Sequence, residues 1–256
     1  MSHLNYVIVL CCTLATLPSE ISTYPGIIWN WPPSRTWVKY ELKGSSKRQR
    51  SGVMRVATLG KEVVEDKECE WLECRVIWRP NDELAAKHVV VLDSISKMLV
   101  QPHERKSRVP VLTNISVIEN YHWNNYVGKI TSMSIRSGLL ELRSAHLNVV
   151  PLKVKLRMKG KERVKTKLGE IDCKRWSGSS RRRLRDNKIY VLKYDVWVSK
   201  KAYTGVVKAT WKGSTLPTSD EQGTTLGVTL LLTEQGKNPA AELGVPIKLR
   251  QKGKDR

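Results

Sequence analysis

Few residues in this chain have the types and spacing that reaction chemistry needs. His3, His88, His103, His122 and His146 are scattered, and no two stand at metal-ligand spacing. His103-Glu104 opens the His-Glu-x-x-His pattern that sets two imidazoles one helical turn apart on zinc, but Ser107 occupies the second histidine's place. No G-x-S-x-G elbow and no G-x-x-x-x-G-K-[ST] phosphate loop occurs. Glu62 and Glu162 form a matched pair of carboxylates, each in a Gly-Lys-Glu step that reads as a solvated turn. The expectation is therefore a binding protein rather than an enzyme, with no metal and no cofactor.

Charge is the stronger signal. The net charge is +21, and residues 101–200 carry 23 Lys and Arg against 8 Asp and Glu, or +15 of it. Arg181, Arg182, Arg183 and Arg185 follow Lys174 and Arg175, and this run could neutralise several phosphates from one inter-strand loop. Lys153, Lys155 and Arg157 alternate with Val150, Leu152, Val154, Leu156 and Met158, so one strand face is apolar and the other cationic. Two readings stand: an anion-binding face for an anionic membrane surface or an acidic polymer, or a solvated face that maintains solubility. Nucleic acid is disfavoured, since no helix-turn-helix, Rossmann or RRM pattern accompanies the charges.

Phenylalanine is absent, and nine Trp and eight Tyr supply the aromatic bulk. Trp71, Trp176, Trp197 and Trp211 fall in apolar strands, where each is either core or the wall of a ligand cavity. Cys69 and Cys74 lie five residues apart, about 17 Å along one strand and on opposite faces, so they cannot pair. Cys69 and Cys173 hold matching places in two similar units, Gly60-Lys61-Glu62 to Cys69-Glu70-Trp71 and Gly160-Lys161-Glu162 to Cys173-Lys174-Arg175-Trp176. A bridge between the units and free buried thiols are the alternatives.

The elements that would position these residues are mostly strands. Residues 1–23, with an apolar run from Tyr6 to Leu17, read as an export signal, which implies a periplasmic or cell-envelope protein; the alternatives are a start codon placed wrongly or a buried first strand, in a cytoplasmic one. No other segment is apolar enough to span a bilayer as a helix. One domain is expected over 24–250, with a basic tail at 251–256. Trp37–Leu42, Val53–Leu59 and Trp71–Trp78 alternate as strands of a meander with one wet face. From Asn81 the period changes: Leu84, His88, Val91, Leu92, Ile95, Met98 and Leu99 predict a helix, and Ile115, Ile118, Tyr121 and Trp123 a second. A helical insert of about 81–126 is thus expected to interrupt the sheet.

Three local patterns carry a family resemblance. Trp37-Val38-Lys39-Tyr40, then Gly60-Lys61-Glu62, then Cys69-Glu70-Trp71-Leu72-Glu73 resemble the opening of a group of uncharacterised secreted bacterial proteins. Trp197-Val198-Ser199 followed by Gly205-Val206-Val207-Lys208 is similar to a late hairpin found in relatives of the lipoprotein carriers LolA and LolB. The resemblance, covering about residues 35–211, implies a LolA-like half-barrel: a mainly β (α+β) domain whose curved antiparallel sheet, an incomplete barrel, carries a helical insert on its concave face. It further implies an apolar cavity for a lipid or other amphipathic ligand.

Overall fold

The computed structural model describes residues 28–44, 50–80, 92–102, 115–125, 128–132, 156–183, 189–216 and 225–244. The proposed signal at 1–23 and the tail at 251–256 lie outside these residues. Among the described residues eleven strands follow in chain order: β1 (Thr36–Gly44), β2 (Arg50–Val64), β3 (Lys67–Pro80), β4 (Leu92–Pro102), β5 (Ile115–Asn124), β6 (Thr131–Ser132), β7 (Leu156–Thr166), β8 (Gly169–Arg183), β9 (Ile189–Val198), β10 (Val206–Leu216) and β11 (Thr225–Lys237). They form one antiparallel sheet in the order β6-β5-β4-β3-β2-β1-β11-β10-β9-β8-β7. Two meanders meet where β1 pairs with β11, Tyr40 opposite Leu232 and Leu42 opposite Leu230. The sheet is open, but it curls: Cα atoms of β7, four strands from β11, return to within 8 Å of it.

Period-two patterning builds the core. Val38, Tyr40 and Leu42 of β1 are buried, as are their neighbours Met54 and Val56 on β2 and Leu72, Cys74, Val76 and Trp78 on β3. The same face continues through Leu230, Ala209, Val196 and Trp176, each the register partner of the next. A smaller cluster of Ile95, Tyr121 and Leu243 lies on the opposite, convex face, with Trp71 and Trp123 against it.

The expected helical insert is corrected over its described part. Leu92–Pro102 and Ile115–Asn124 are strands β4 and β5, paired Ser96 to His122 and Met98 to Asn120. The remaining residues of the insert, 81–91, 103–114 and 126, lie outside the described residues. The misreading has a physical cause. β4 buries Ile95 and Leu99 on one face and Ser96, Met98 and Val100 on the other, and a strand buried on both faces reproduces helical i, i+3, i+4 spacing.

The Gly-Lys-Glu steps are corrected too: neither is a turn. Each follows a register shift, at Thr58/Gly60 in β2 and Met158/Gly160 in β7, and both glycines take positive φ, 131° and 149°. These are β-bulges, which bend the strand and raise its twist. The β2–β3 turn is Glu65-Asp66, with φ of 49° and 59°, the two-residue left-handed turn that suits a twisted hairpin. The repeated motif therefore encodes a bend in mid-strand. Among the described residues no helix is long and apolar enough to cross a membrane.

Candidate functional site

A cleft of about 980 Å³ opens between the β7–β8 hairpin and the β9–β10 connection. Trp29 and Asn30 form one wall. Their backbone N–H groups donate to the Thr204 carbonyl at 2.7 and 2.8 Å, which ties the segment before β1 across the β9–β10 turn. The tie is reinforced beneath. The buried Tyr40 hydroxyl meets Thr204 Oγ1 and donates to the Val206 carbonyl at 3.0 Å. Burial holds that phenol well above its ordinary pKa, so it remains a neutral donor. Gly205 permits the close approach: its φ is 78°, and an added Cβ would stand 3.0 Å from Trp29 Cβ and 2.9 Å from Asn30 Nδ2.

The cleft is cationic. Lys161, Lys174, Lys200 and Lys201 line it, and Lys161 stands directly opposite Lys174 in the β7–β8 register. Its other charges are engaged: Arg163 pairs with Asp172 at 3.1 Å and Glu162 with Arg175 at 2.9 Å. Apolar wall comes from Val198, Cys173 and Trp29, and Trp29 packs on Trp176 with ring centroids 5.7 Å apart. Trp176 lies two residues from Lys174 on the same face of β8, so the cleft leads onto the concave side of the sheet.

That concave side carries buried polar atoms that have no hydrogen-bond partner among the described residues: Trp78 Nε1, Trp176 Nε1, Glu70 Oε1 and both amide atoms of Asn120. Trp78 and Trp176 lie on one cross-strand row, joined through Gly52, Leu42, Leu230, Ala209 and Val196. Glu70 Oε2 is engaged, accepting from the Trp31 indole at 2.7 Å. Ser96 Oγ and His122 Nδ1 meet at 3.1 Å on the same side, a pair separated by 26 residues that no local motif reveals.

The convex face is charge-balanced by contrast. Glu162 accepts from Trp197 Nε1 at 2.6 Å and from Arg175, and these two hydrogen bonds, the indole's first, hold its carboxyl below the usual range. Arg175 and Lys208 lie over the Trp197 ring at 5.0 and 4.6 Å, all three in one row. The first unit repeats the device, with Glu62 Oε2 accepting from Trp71 Nε1 at 2.8 Å and Lys97 over that ring at 5.1 Å. Glu62 and Glu162 are therefore indole acceptors within strands, which corrects their reading as turn residues, while Glu162 is exposed as that reading expected. A second hollow, about 400 Å³ and on the convex face, is lined by Lys39, Arg55 and Arg75, each paired with Glu234, Glu73, Asp93 or Glu242. Glu73, fully buried, also accepts the backbone N–H groups of Glu242 and Leu243 and so clips the C-terminal segment onto the sheet.

The structure divides the sequence-derived candidates. Trp176 and Trp211 lie on the concave face, whereas Trp71 and Trp197 point to the convex one, so the four cannot line one cavity. Arg181, Arg182 and Arg183 belong to β8, paired with Val191, Tyr190 and Ile189, rather than to a loop. Arg181 and Arg157 are exposed; Lys153, Lys155 and Arg185 lie outside the described residues. Cys69 and Cys173 are free buried thiols six strands apart in the sheet, roughly 29 Å at about 4.8 Å per strand. Burial pushes the Cys173 thiol up to about 11 and Cys74 to about 12, which leaves both unreactive near neutrality. Among the described residues no cluster of His, Cys, Asp or Glu could hold a metal ion. The lysine cleft was not singled out from sequence; its signal was Lys174, a cation where the first unit has Glu70.

Comparison with known proteins adds little to this geometry. No protein-family model matches the chain, and no curated protein matches it. A crystal structure from Parabacteroides distasonis, described as that of a "putative lipoprotein", aligns over 83% of this chain and 100% of its own, at 10% identity and a TM-score of 0.34. At that score the likeness carries no argument about fold or function.

Proposed function

We propose that this chain is a non-enzymatic exported binding protein that holds a lipid or similarly amphipathic ligand against the concave face of its sheet. The observation that carries the reading is the set of buried atoms on Glu70, Trp78, Asn120 and Trp176, all on that one face, that have no partner among the described residues. A buried donor or acceptor without a partner costs about 1–3 kcal/mol, so several on one face mark a surface shaped for a guest with scattered polar atoms. The apolar row between Trp78 and Trp176 suits an acyl chain, and the cationic cleft suits a charged head. Export, and with it a periplasmic or envelope location, rests on the apolar N-terminal segment. LolA-like carriage is the finer form of this reading and rests on the resemblance of the two hairpins.

An envelope scaffold that grips an acidic polymer is the second reading, favoured by the net charge of +21. Mass spectrometry on protein purified from its own cells separates the two. A trimmed N-terminus with a co-purified lipid is the expected result. A protein that carries no extractable ligand and binds neither detergent monomers nor lipid vesicles overturns the proposal, and salt-reversible binding to a polyanion alone would favour the scaffold.

A further inference from the structure

The two repeated units provide an internal control for the lysine cleft. In the first, Lys61 stands opposite Glu70 and forms an ion pair with Glu68. In the second, the bulge, the glycine and the following Lys-Glu are retained, but Lys161 faces Lys174. Like charges directly opposite in a ladder are destabilising, whereas opposite charges stabilise. The second unit therefore carries an electrostatic cost that the first avoids with the same backbone. Lys200 and Lys201 line the same cleft from the neighbouring turn, and among the described residues none of the four lysines has an ion-pair partner, whereas Arg163 and Arg175 beside them do. The paired cations of the smaller convex hollow show that the fold can neutralise such groups where no guest is needed.

We propose that this cleft receives the phosphate head of an anionic amphiphile, bound by Lys161, Lys174, Lys200 and Lys201, with its apolar chain passing Trp29 toward Trp176. This deepens the binding-protein reading and rests on it. A phosphate monoester or diester matches the geometry: it accepts from several ammonium groups at once, and charge-assisted hydrogen bonds are the strong ones. The indole N–H of Trp176, buried behind Trp29 with no partner among the described residues, would donate to an ester oxygen next to the head. The cleft's volume of about 980 Å³ accommodates a head and the first part of a chain.

The test is titration calorimetry on the full chain with dodecyl phosphate, dodecyl maltoside and inorganic phosphate, each detergent below its micellar concentration. Wild type should bind dodecyl phosphate most tightly. Lys174→Glu, which installs the charge found in the first unit, should weaken that binding by about tenfold or more. It should leave dodecyl maltoside within about twofold. Lys200→Gln with Lys201→Gln, in an exposed turn where folding is not at stake, should weaken it in the same direction. Lys212→Gln, remote from the cleft, should not. Equal binding of both detergents, indifferent to Lys174→Glu, overturns the phosphate assignment and leaves the binding-protein reading standing. Failure of both detergents overturns both. Inorganic phosphate binding as tightly as dodecyl phosphate overturns the amphiphile in favour of a free-anion site.

Discussion

Gly205→Ala should be the most informative single change, because it loads the joint between the cleft wall and the core. Two costs arise there. A side chain at φ 78° meets the left-handed penalty, about 1–2 kcal/mol. The new Cβ also meets Trp29 Cβ at 3.0 Å and Asn30 at 2.9 Å, and Trp29 cannot retreat without breaking its N–H bond to Thr204. Overpacking of that kind costs about 1–3 kcal/mol. The sum is about 2–5 kcal/mol, read as a drop in the urea midpoint at unchanged slope. Gly169→Ala is the control: its φ is 100°, at least as unfavourable, and nothing lies within 4 Å of the new atom. It should show the conformational cost alone. If Gly205→Ala proves no more destabilising than Gly169→Ala, the close packing of residues 29–30 on the β9–β10 turn is refuted. So is the cleft wall built on it.

Three other outcomes follow from the same geometry. Glu73→Gln should destabilise the fold by about 1–3 kcal/mol, since Arg55 keeps Glu242 but loses its buried counter-charge and an amide is turned toward two N–H donors; native-state hydrogen exchange should rise at Glu242 and Leu243. Stability should fall at alkaline pH, because Cys74 and Cys173 have folded pKa values raised to about 12 and about 11 from an ordinary value of 9.0. Their contribution is complete below about pH 9 and is lost as pH rises toward those values, by up to about 1.4 kcal/mol per unit per thiol. Urea midpoints between pH 8 and 11 check it, and Cys74→Ala should flatten the slope. Glu162→Gln should change stability by less than about 1 kcal/mol, since the carboxylate is part-exposed, yet shift the emission of Trp197, whose indole it binds.

Much of the sheet was legible in the sequence because alternation survives wherever one strand face is wet. Trp37–Leu42 and Trp71–Trp78 read correctly for that reason, and so did the late hairpin of Trp197-Val198-Ser199 with Gly205-Val206-Val207-Lys208. β4 and β5 read as helix because the convex cluster under Leu243 buries their second face, and two-sided burial erases the period of two. The aromatic candidates failed in a related way. Trp71 and Trp197 sit one register step from the core positions Leu72 and Val198, and their type alone cannot say which face they take. The arginine run misled through composition: Arg181 to Arg183 continue a strand whose ladder partners, Ile189 to Val191, supply the apolar content.

The repeated unit shows how one backbone device can serve two ends. In both copies the bulge at Gly60 or Gly160 sets the next glutamate to accept an indole N–H on the convex face, so the motif's first duty is to fix curvature and hold a tryptophan. The lysine between glycine and glutamate has no such duty and points to the other face of its strand. There the copies diverge. Lys61 is neutralised by its neighbours, and Lys161 is set against another lysine beside a cleft. A chain selected only for stability would gain from an acid at position 174, as it has at position 70. The like-charged pair beside a cleft of the curled sheet, with a Trp176 indole behind it that has no partner among the described residues, is what a site for an anionic head and an apolar tail would require.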